Sequence, residues 1–123
     1  MYAELLLQQQ TTFYVVNCYS FNPESINLSV AAMYYIEADN NYCQLTFHYR
    51  NVKYRATLTH NLDYYEEKLK ELGFIRIHHS YLINILQVER ICFQEHYLLM
   101  KDDNQINYSK QASELIHQTF KRL

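Results

Sequence analysis

The sequence predicts a mostly β domain that has one short internal helix and one helix at its C-terminus. The composition is the first reason, because 13 tyrosines stand beside a single glycine and a single proline in 123 residues. Aromatic side chains fit the half-buried surface of a pleated sheet. The second reason is a period-two pattern in the first half of the chain, and the third is a helical period in two later segments. A chain of this length fits one domain.

The N-terminal region predicts a strand and then a short connection. Residues 11–21 are rich in β-branched and aromatic side chains and are followed by a turn-prone Asn-Pro-Glu-Ser run. Residues 1–10 fit either a short helix or a frayed leader, and residues 26–37 predict a short connector followed by a strand. We therefore divide the chain into an N-terminal strand or leader segment at 1–25 and a main domain at 26–123.

The clearest supersecondary element is a hairpin over residues 42–58. Polar and apolar side chains alternate along 42–49 and again along 53–58, with a turn near Arg50 and Asn51. This alternation is typical of paired antiparallel strands that have one polar and one apolar face.

A change of period marks the internal helix. Thr59 or Asn61 can cap its start, and Gly73 suits the left-handed residue that often follows a helix. Between them an apolar stripe recurs at helical spacing: Leu62, Tyr65, Leu69 and Leu72.

The rest of the chain predicts a second run of short elements. In order these are a strand at 74–78, a short turn or helical bend at 81–85, a hairpin of 88–93 with 97–101, a brief strand at 106–108, and a final helix. Ser109 is placed to cap that helix, and apolar residues recur along it at helical spacing.

The net charge and the cysteines limit the classes of protein to which this chain can belong. The net charge of −2 argues, taken alone, against nucleic-acid binding, although a local basic face can sit on an acidic domain. Cys18, Cys43 and Cys92 are widely spaced and lie in apolar stretches, so buried reduced thiols are expected. No apolar run is long enough to span a membrane, and the N-terminus does not resemble a signal peptide, so we expect a cytoplasmic protein with no membrane partner.

Motifs for catalysis and cofactor binding are absent from the sequence. One glycine cannot build a glycine-rich phosphate loop, and there is no HExxH or nucleophile elbow. His78 and His79 are adjacent, so on a strand they should point to opposite faces and not share a metal ion. We therefore expect no enzyme activity, no cofactor and no metal.

Three motifs, in the same order along the chain, carry a resemblance to a known family. Residues 74–84 read FIRIHHSYLIN, residues 35–42 read YIEADNNY, and residues 106–109 read INYS. Together they resemble the LytTR family of DNA-binding domains, over about residues 26–123. The resemblance implies an elongated, antiparallel β fold whose loops reach successive major grooves of DNA, in a transcription regulator or the output domain of a response regulator.

The resemblance also implies which residues contact DNA. They fall in three places: Asn40, Asn41 and Tyr42; His79 and Ser80; Lys110 and Gln111. An Asn amide can pair with adenine, although Asn40 also suits a turn residue with positive φ. Arg76 and His78 should share a strand face, as structural partners of each other or as ligands of a phosphate.

The sequence departs from the family at its cations. The family commonly has arginine where His79 stands, and a basic residue where Gln111 stands. Fewer cations weaken the counterion-release contribution to binding. We therefore expect modest affinity, steep salt sensitivity or reliance on dimerisation, and a possible preference for A/T-rich sites.

The implied partners are double-stranded DNA with paired repeats, a second copy of the chain on DNA, and a receiver domain or histidine-kinase pathway. The alternative is a protein-interaction module that keeps the fold with reduced DNA affinity. Tyrosine, which is abundant here, is enriched in protein interfaces.

Overall fold

The computed structural model describes residues 8–121 and confirms a mostly β domain with two short helices. The strands are β1 (Gln10–Asn17), β2 (Glu24–Ser29), β3 (Met33–Asp39), β4 (Tyr42–Tyr49), β5 (Val52–Leu58), β6 (Phe74–His78), β7 (Tyr81–Asn84), β8 (Val88–Cys92), β9 (Tyr97–Met100) and β10 (Gln105–Asn107). The α-helices are α1 (Leu62–Leu69) and α2 (Ser113–Phe120), and 3-10 turns lie at Val30–Ala32, Lys70–Leu72, Ile85–Gln87 and Lys110–Ala112.

The strands form two antiparallel sheets. The larger has seven strands in the order β2-β1-β5-β4-β3-β7-β6, and the smaller has three in the order β10-β9-β8. In the larger sheet β3 lies between β4 and β7, which brings the β3–β4 and β6–β7 connections to neighbouring positions.

The predicted central hairpin is confirmed. Strands β4 and β5 pair in continuous register from Cys43 opposite Leu58 to Tyr49 opposite Val52. Arg50 and the residue after it, which form the turn, both have positive φ. A two-residue hairpin turn of the kind that matches strand twist requires such angles.

The first strand is integrated into the larger sheet. Strand β1 pairs with β2 along most of its length and with β5 at Val15 and Asn17. It ends at Asn17, earlier than the sequence predicts, and Phe13 and Val15 are buried in the core. Of the expected helix or leader at 1–10, residues 1–7 lie outside the described part of the chain.

Two apolar cores lie on opposite faces of the larger sheet. The core on the α1 side contains Ile36 and Leu82, and the core beneath the smaller sheet and α2 contains Tyr35 and Ile83. Strands β3 and β7 therefore bury side chains on both faces, because successive residues of a strand point to opposite sides.

This burial explains one wrong prediction. Residues 81–85 were expected to form a turn or helical bend, but residues 81–84 form strand β7, and the 3-10 turn begins only at Ile85. Leu82, Ile83 and Asn84 are all fully buried, so the segment lacks the polar–apolar alternation that indicates a half-buried strand.

The buried side chain of Asn84 forms hydrogen bonds with the backbone just before and at the start of strand β3, and with the backbone after strand β7. Its Nδ2 donates to the carbonyl oxygens of Val30 at 3.0 Å and Met33 at 2.8 Å, and its Oδ1 accepts from the N–H of Leu86 at 3.1 Å. One side chain thus pairs with three backbone groups, and its two bonds to carbonyl oxygens are fully buried.

The boundaries of α1 follow the sequence signals. The side chain of Asn61 accepts a hydrogen bond from the N–H of Tyr64 at 3.0 Å, which makes it the N-cap. After the 3-10 turn, Gly73 has a φ of 86°, as the predicted left-handed residue requires.

A polar network joins the two sheets. The Asp102 carboxylate, almost fully buried, accepts from Tyr35 Oη at 3.0 Å and from Asn104 Nδ2 at 2.9 Å, and it lies 3.6 Å from Lys53 Nζ. Burial and the neighbouring Asp102 raise the pKa of Tyr35 to about 12. Tyr35 and Lys53 belong to the larger sheet, whereas Asp102 lies in the turn between β9 and β10.

The expectations about membrane spans and about the cysteines can be compared with residues 8–121. No helix in that range is long and apolar enough to cross a membrane. Cys43 is buried as predicted, whereas Cys18 and Cys92 are half-buried, and all three are free thiols.

Candidate nucleic-acid interface

The first predicted contact segment is the turn between β3 and β4. Asp39 pairs with Tyr42 across the strands, so Asn40 and Asn41 form the turn itself. Asn40 has a φ of 56°, which matches its expected turn conformation. The side chains of Asn40, Asn41 and Tyr42 are all exposed, and their polar groups are open to a ligand.

The second segment is the turn between β6 and β7, where His79 is exposed and Ser80 half-buried. The N–H of Ser80 donates to Nδ1 of His78 at 3.1 Å, so this nitrogen must be unprotonated. Burial, followed by the nearby His79 and Arg76, lowers the pKa of His78 from its usual 6.5. The turn is therefore built on a neutral imidazole.

Two predictions about this strand end are wrong because β6 is bulged between Arg76 and His78. Arg76 pairs opposite Leu82 and His78 opposite Tyr81, which places the two side chains on different faces of the sheet. His79 is in the turn, and its ring lies 4.2 Å from that of His78 instead of on the opposite face.

Arg76 is held by internal partners. Its Nη1 donates to Asp63 Oδ1 and to Glu66 Oε1, each at 2.9 Å. Its Nε donates to the carbonyl oxygen of His78 at 2.9 Å and its Nη2 to that of His79 at 2.5 Å. The sequence left two roles open for Arg76, as a structural partner of His78 or as a phosphate ligand. The geometry supports a structural role. Its partners, however, are the acids of α1 and the turn carbonyls and not the His78 ring.

The third segment is the start of the final helical region. Ser109 Oγ accepts from the N–H of Ala112 at 3.2 Å, which confirms the predicted N-cap. Lys110 and Gln111 occupy the 3-10 turn that leads into α2, and both are exposed. Their side chains therefore project from a capped, fixed backbone.

The three segments lie along one edge of the molecule, which we call the loop edge: residues 40–42, 79–80 and 110–111. The N–H of Ala38 donates to the carbonyl oxygen of Ser80 at 2.8 Å, which joins the first segment to the second. His79 and Gln111 line the same shallow cleft, of about 280 Å³, which joins the second segment to the third.

Acidic groups accompany the loop edge, and sequence reasoning missed them. Asp39 lies next to Asn40, with its carboxylate accepting from Gln44 Nε2 at 3.3 Å. Asp63 and Glu66 reach Arg76 from α1. No local sequence pattern predicts the contacts of Arg76 with Asp63 and Glu66, because these residues are 13 and 10 positions away on a different element.

Metal binding has no visible site in the described part of the chain. Among residues 8–121, no three His, Cys, Asp or Glu side chains are grouped so that they could hold an ion. In this range the paired histidines at the β6–β7 turn have no third ligand beside them. Nδ1 of His78 already accepts a hydrogen bond from the backbone N–H of Ser80.

The fold and the loop edge define a β-sheet binding domain that presents Asn, Gln, His and Lys side chains from turns and a helix start. The chain belongs to the LytTR family: the family described as the LytTr DNA-binding domain matches residues 24–121.

A solved structure supports the same fold. The LytTr DNA-binding domain of a protein described as a methyl-accepting/DNA response regulator from Bacillus cereus is similar, with a TM-score of 0.67 and 18% identity. The alignment covers 90% of this chain and 95% of that one. A search of curated proteins found no match.

Proposed function

We propose that this domain binds double-stranded DNA in a sequence-specific manner and serves as the output domain of a transcription regulator. The observation that carries the proposal is the loop edge, where three polar segments from distant parts of the chain are joined by backbone hydrogen bonds and a shared cleft. Family membership supplies the nucleic acid as the ligand.

Side-chain chemistry on the loop edge suits the major groove. The exposed amides of Asn41 and Gln111 can pair with the N6 and N7 atoms of adenine, and His79 can donate to N7 of guanine. Lys110 offers a cation to a phosphate beside these readers. These pairings favour A/T-rich sites, because two of the three readers are amides.

The remaining predicted contact residues take supporting roles in the proposal. Arg76 and His78 hold the β6–β7 turn through the bonds described above, and Ser80 is part of that turn. Asn40 supplies the positive φ of the first turn. Tyr42 is half exposed beside it and can contact the sugar–phosphate backbone through its hydroxyl.

Electrostatics make the proposed affinity modest. The chain has a net charge of −2, and Lys110 is the only lysine or arginine among the loop-edge residues. Two copies bound to paired repeats compensate for weak single contacts, since linked binding events gain effective concentration. We therefore propose a homodimer on DNA, in the cytoplasm, under the control of a receiver domain or a histidine-kinase pathway.

A mobility-shift titration tests the proposal. The protein is mixed with genomic fragments and with A/T-rich repeat duplexes at salt concentrations from about 0.05 to 0.3 M, a range over which phosphate contacts weaken steeply. We expect selected fragments to bind at low salt and to release as salt rises. A folded protein that shifts no fragment at the lowest salt would overturn the proposal.

One observation favours the alternative of a protein-interaction module. Phe21, which is 90% exposed, and Tyr19 lie in the β1–β2 connection. The half-exposed Tyr49 and Val52 flank the β4–β5 turn, at the other end of that hairpin from Tyr42. Aromatic side chains are enriched in protein interfaces. Under this alternative, DNA affinity is reduced or lost, and Phe21→Ala disrupts association with a protein partner.

A further inference from the structure

The guanidinium of Arg76 divides its donors between two functions. Nε and Nη2 donate to the carbonyl oxygens of His78 and His79 and thereby anchor the group to the β6–β7 turn. Nη1 instead donates to the carboxylates of Asp63 and Glu66 on α1. The bonds that position the cation are therefore separate from those that neutralise its charge.

The charges in this cluster do not balance. One guanidinium faces two carboxylates, so the group carries a net charge of −1 beside the exposed His79. The Asp63 side chain is 81% exposed and that of Glu66 46% exposed, whereas that of Arg76 is only 22% exposed. Negative charge thus faces solvent next to the loop edge, while the positive charge is covered.

We infer that Asp63 and Glu66 set the DNA affinity of this domain by cancelling the charge of Arg76 at the loop edge; the inference rests on the proposed DNA binding. With the two acids neutral, the carbonyls of His78 and His79 still hold the guanidinium. Its charge then attracts the DNA backbone, with Nη1 as the donor for a phosphate. Helix α1 thereby limits affinity, and Arg76 is a positioning residue that becomes a phosphate ligand when its acids are neutralised.

The double variant Asp63→Asn with Glu66→Gln tests the inference. Asn and Gln keep the size of the two side chains, but a neutral amide oxygen bonds a guanidinium more weakly than a carboxylate does, so a phosphate can displace it from Nη1. Its Kd for a duplex chosen by mobility shift is measured by fluorescence anisotropy over a salt series. We expect about five-fold tighter binding at 0.15 M salt and a slope of log K against log salt that is steeper by about 0.9, as for one added phosphate contact.

A matched control separates this effect from net charge. Glu67→Gln with Glu71→Gln removes the same two charges from the same region, but Glu67 pairs with Lys70 at 2.8 Å instead of with Arg76. We expect a smaller gain in affinity and an unchanged salt slope. Adding Arg76→Gln to the test variant should abolish its gain, with circular dichroism showing that the fold is retained.

The outcomes distinguish this inference from the function on which it rests. If the wild-type protein binds no duplex at low salt, the proposed function and this inference both fail. If the wild type binds but the test variant binds equally or more weakly at an unchanged Tm, only this inference fails. An equal gain in the Glu67 and Glu71 control likewise overturns it, because the effect then comes from overall charge.

Discussion

Ser109 donates its backbone N–H to the carbonyl oxygen of Ile77 at 3.0 Å, and this bond fastens the start of the last helical region to strand β6. Ile77 is fully buried between the arginine and histidine of the bulged strand end. This main-chain bond therefore links the second and third proposed contact segments of the loop edge, and side-chain substitutions leave it in place.

Two substitutions of Ser109 distinguish its role as a helix cap from the effect of charge at the same position. Ser109→Ala removes the acceptor for the N–H of Ala112 and should lower the free energy of unfolding by about 1 kcal/mol. Ser109→Asp keeps a capping oxygen but adds a negative charge beside Lys110, so it should retain stability and weaken DNA binding. Urea denaturation and anisotropy titrations measure the two effects. An aspartate variant that binds DNA as well as wild type would place the phosphate backbone elsewhere.

Base readers and phosphate ligands should differ in selectivity. Asn41→Ala, His79→Ala and Gln111→Ala should each reduce discrimination between the best duplex and a mismatched one by about 1–3 kcal/mol. Lys110→Ala should weaken binding to all duplexes equally and lower the salt slope by about 1. Asn40→Gly is the control, since glycine keeps the positive φ and should preserve affinity. Competition titrations compare the variants; if the first three unfold the protein, they belong to the scaffold.

Asn84 should be essential for stability and irrelevant to DNA contact. Asn84→Ala removes three hydrogen bonds to the backbone at a fully buried position, and it should lower the free energy of unfolding by about 3 kcal/mol. Asn27→Ala is the exposed control and should change stability by less than about 0.5 kcal/mol. Chemical denaturation measures both. Equal costs for the two variants would mean that the buried bonds contribute nothing.

Stability should fall in mild acid because of His78. Its pKa is lowered in the folded protein, so below pH 6.5 the unfolded chain takes up a proton more readily than the folded one. The contribution is fully present above that pH and is lost as the pH falls towards the lowered folded value. Unfolding free energies measured from pH 8 to 5 should decrease less in His78→Gln than in wild type. Parallel pH profiles for the two proteins would show that protonation elsewhere dominates.

The local sequence pattern was sufficient to predict the strands and helices that have one exposed face. The β4–β5 hairpin alternates polar and apolar residues, and α1 is bounded by Asn61 and Gly73, so each carries its own signal. Strand β7 carries none, because its neighbours β3 and β6 and the two cores bury both its faces. Its strand geometry is imposed by distant partners, which a single sequence does not reveal.

The predicted contact residues also differ in whether local pattern was sufficient to place them. Ser109 as a cap and Asn40 as a turn residue follow from backbone chemistry at the positions themselves. The position of Arg76 depends on a bulge and on carboxylates from α1, so spacing alone placed its side chain on the wrong face. Sequence motifs predicted the residues of the loop edge, and tertiary packing decided which of their side chains are exposed.

The buried carboxylate of Asp102 connects the two sheets that carry the loop edge. Residues 40–42 and 79–80 belong to the larger sheet, whereas residues 110–111 follow the smaller one, and the bonds of Asp102 to Tyr35 and Lys53 help to set how the two sheets dock. A change in that docking would shift one group of DNA contacts along the duplex relative to the other without altering any of them. On the proposed function, the distance between recognised base pairs can therefore evolve through substitutions that never touch DNA.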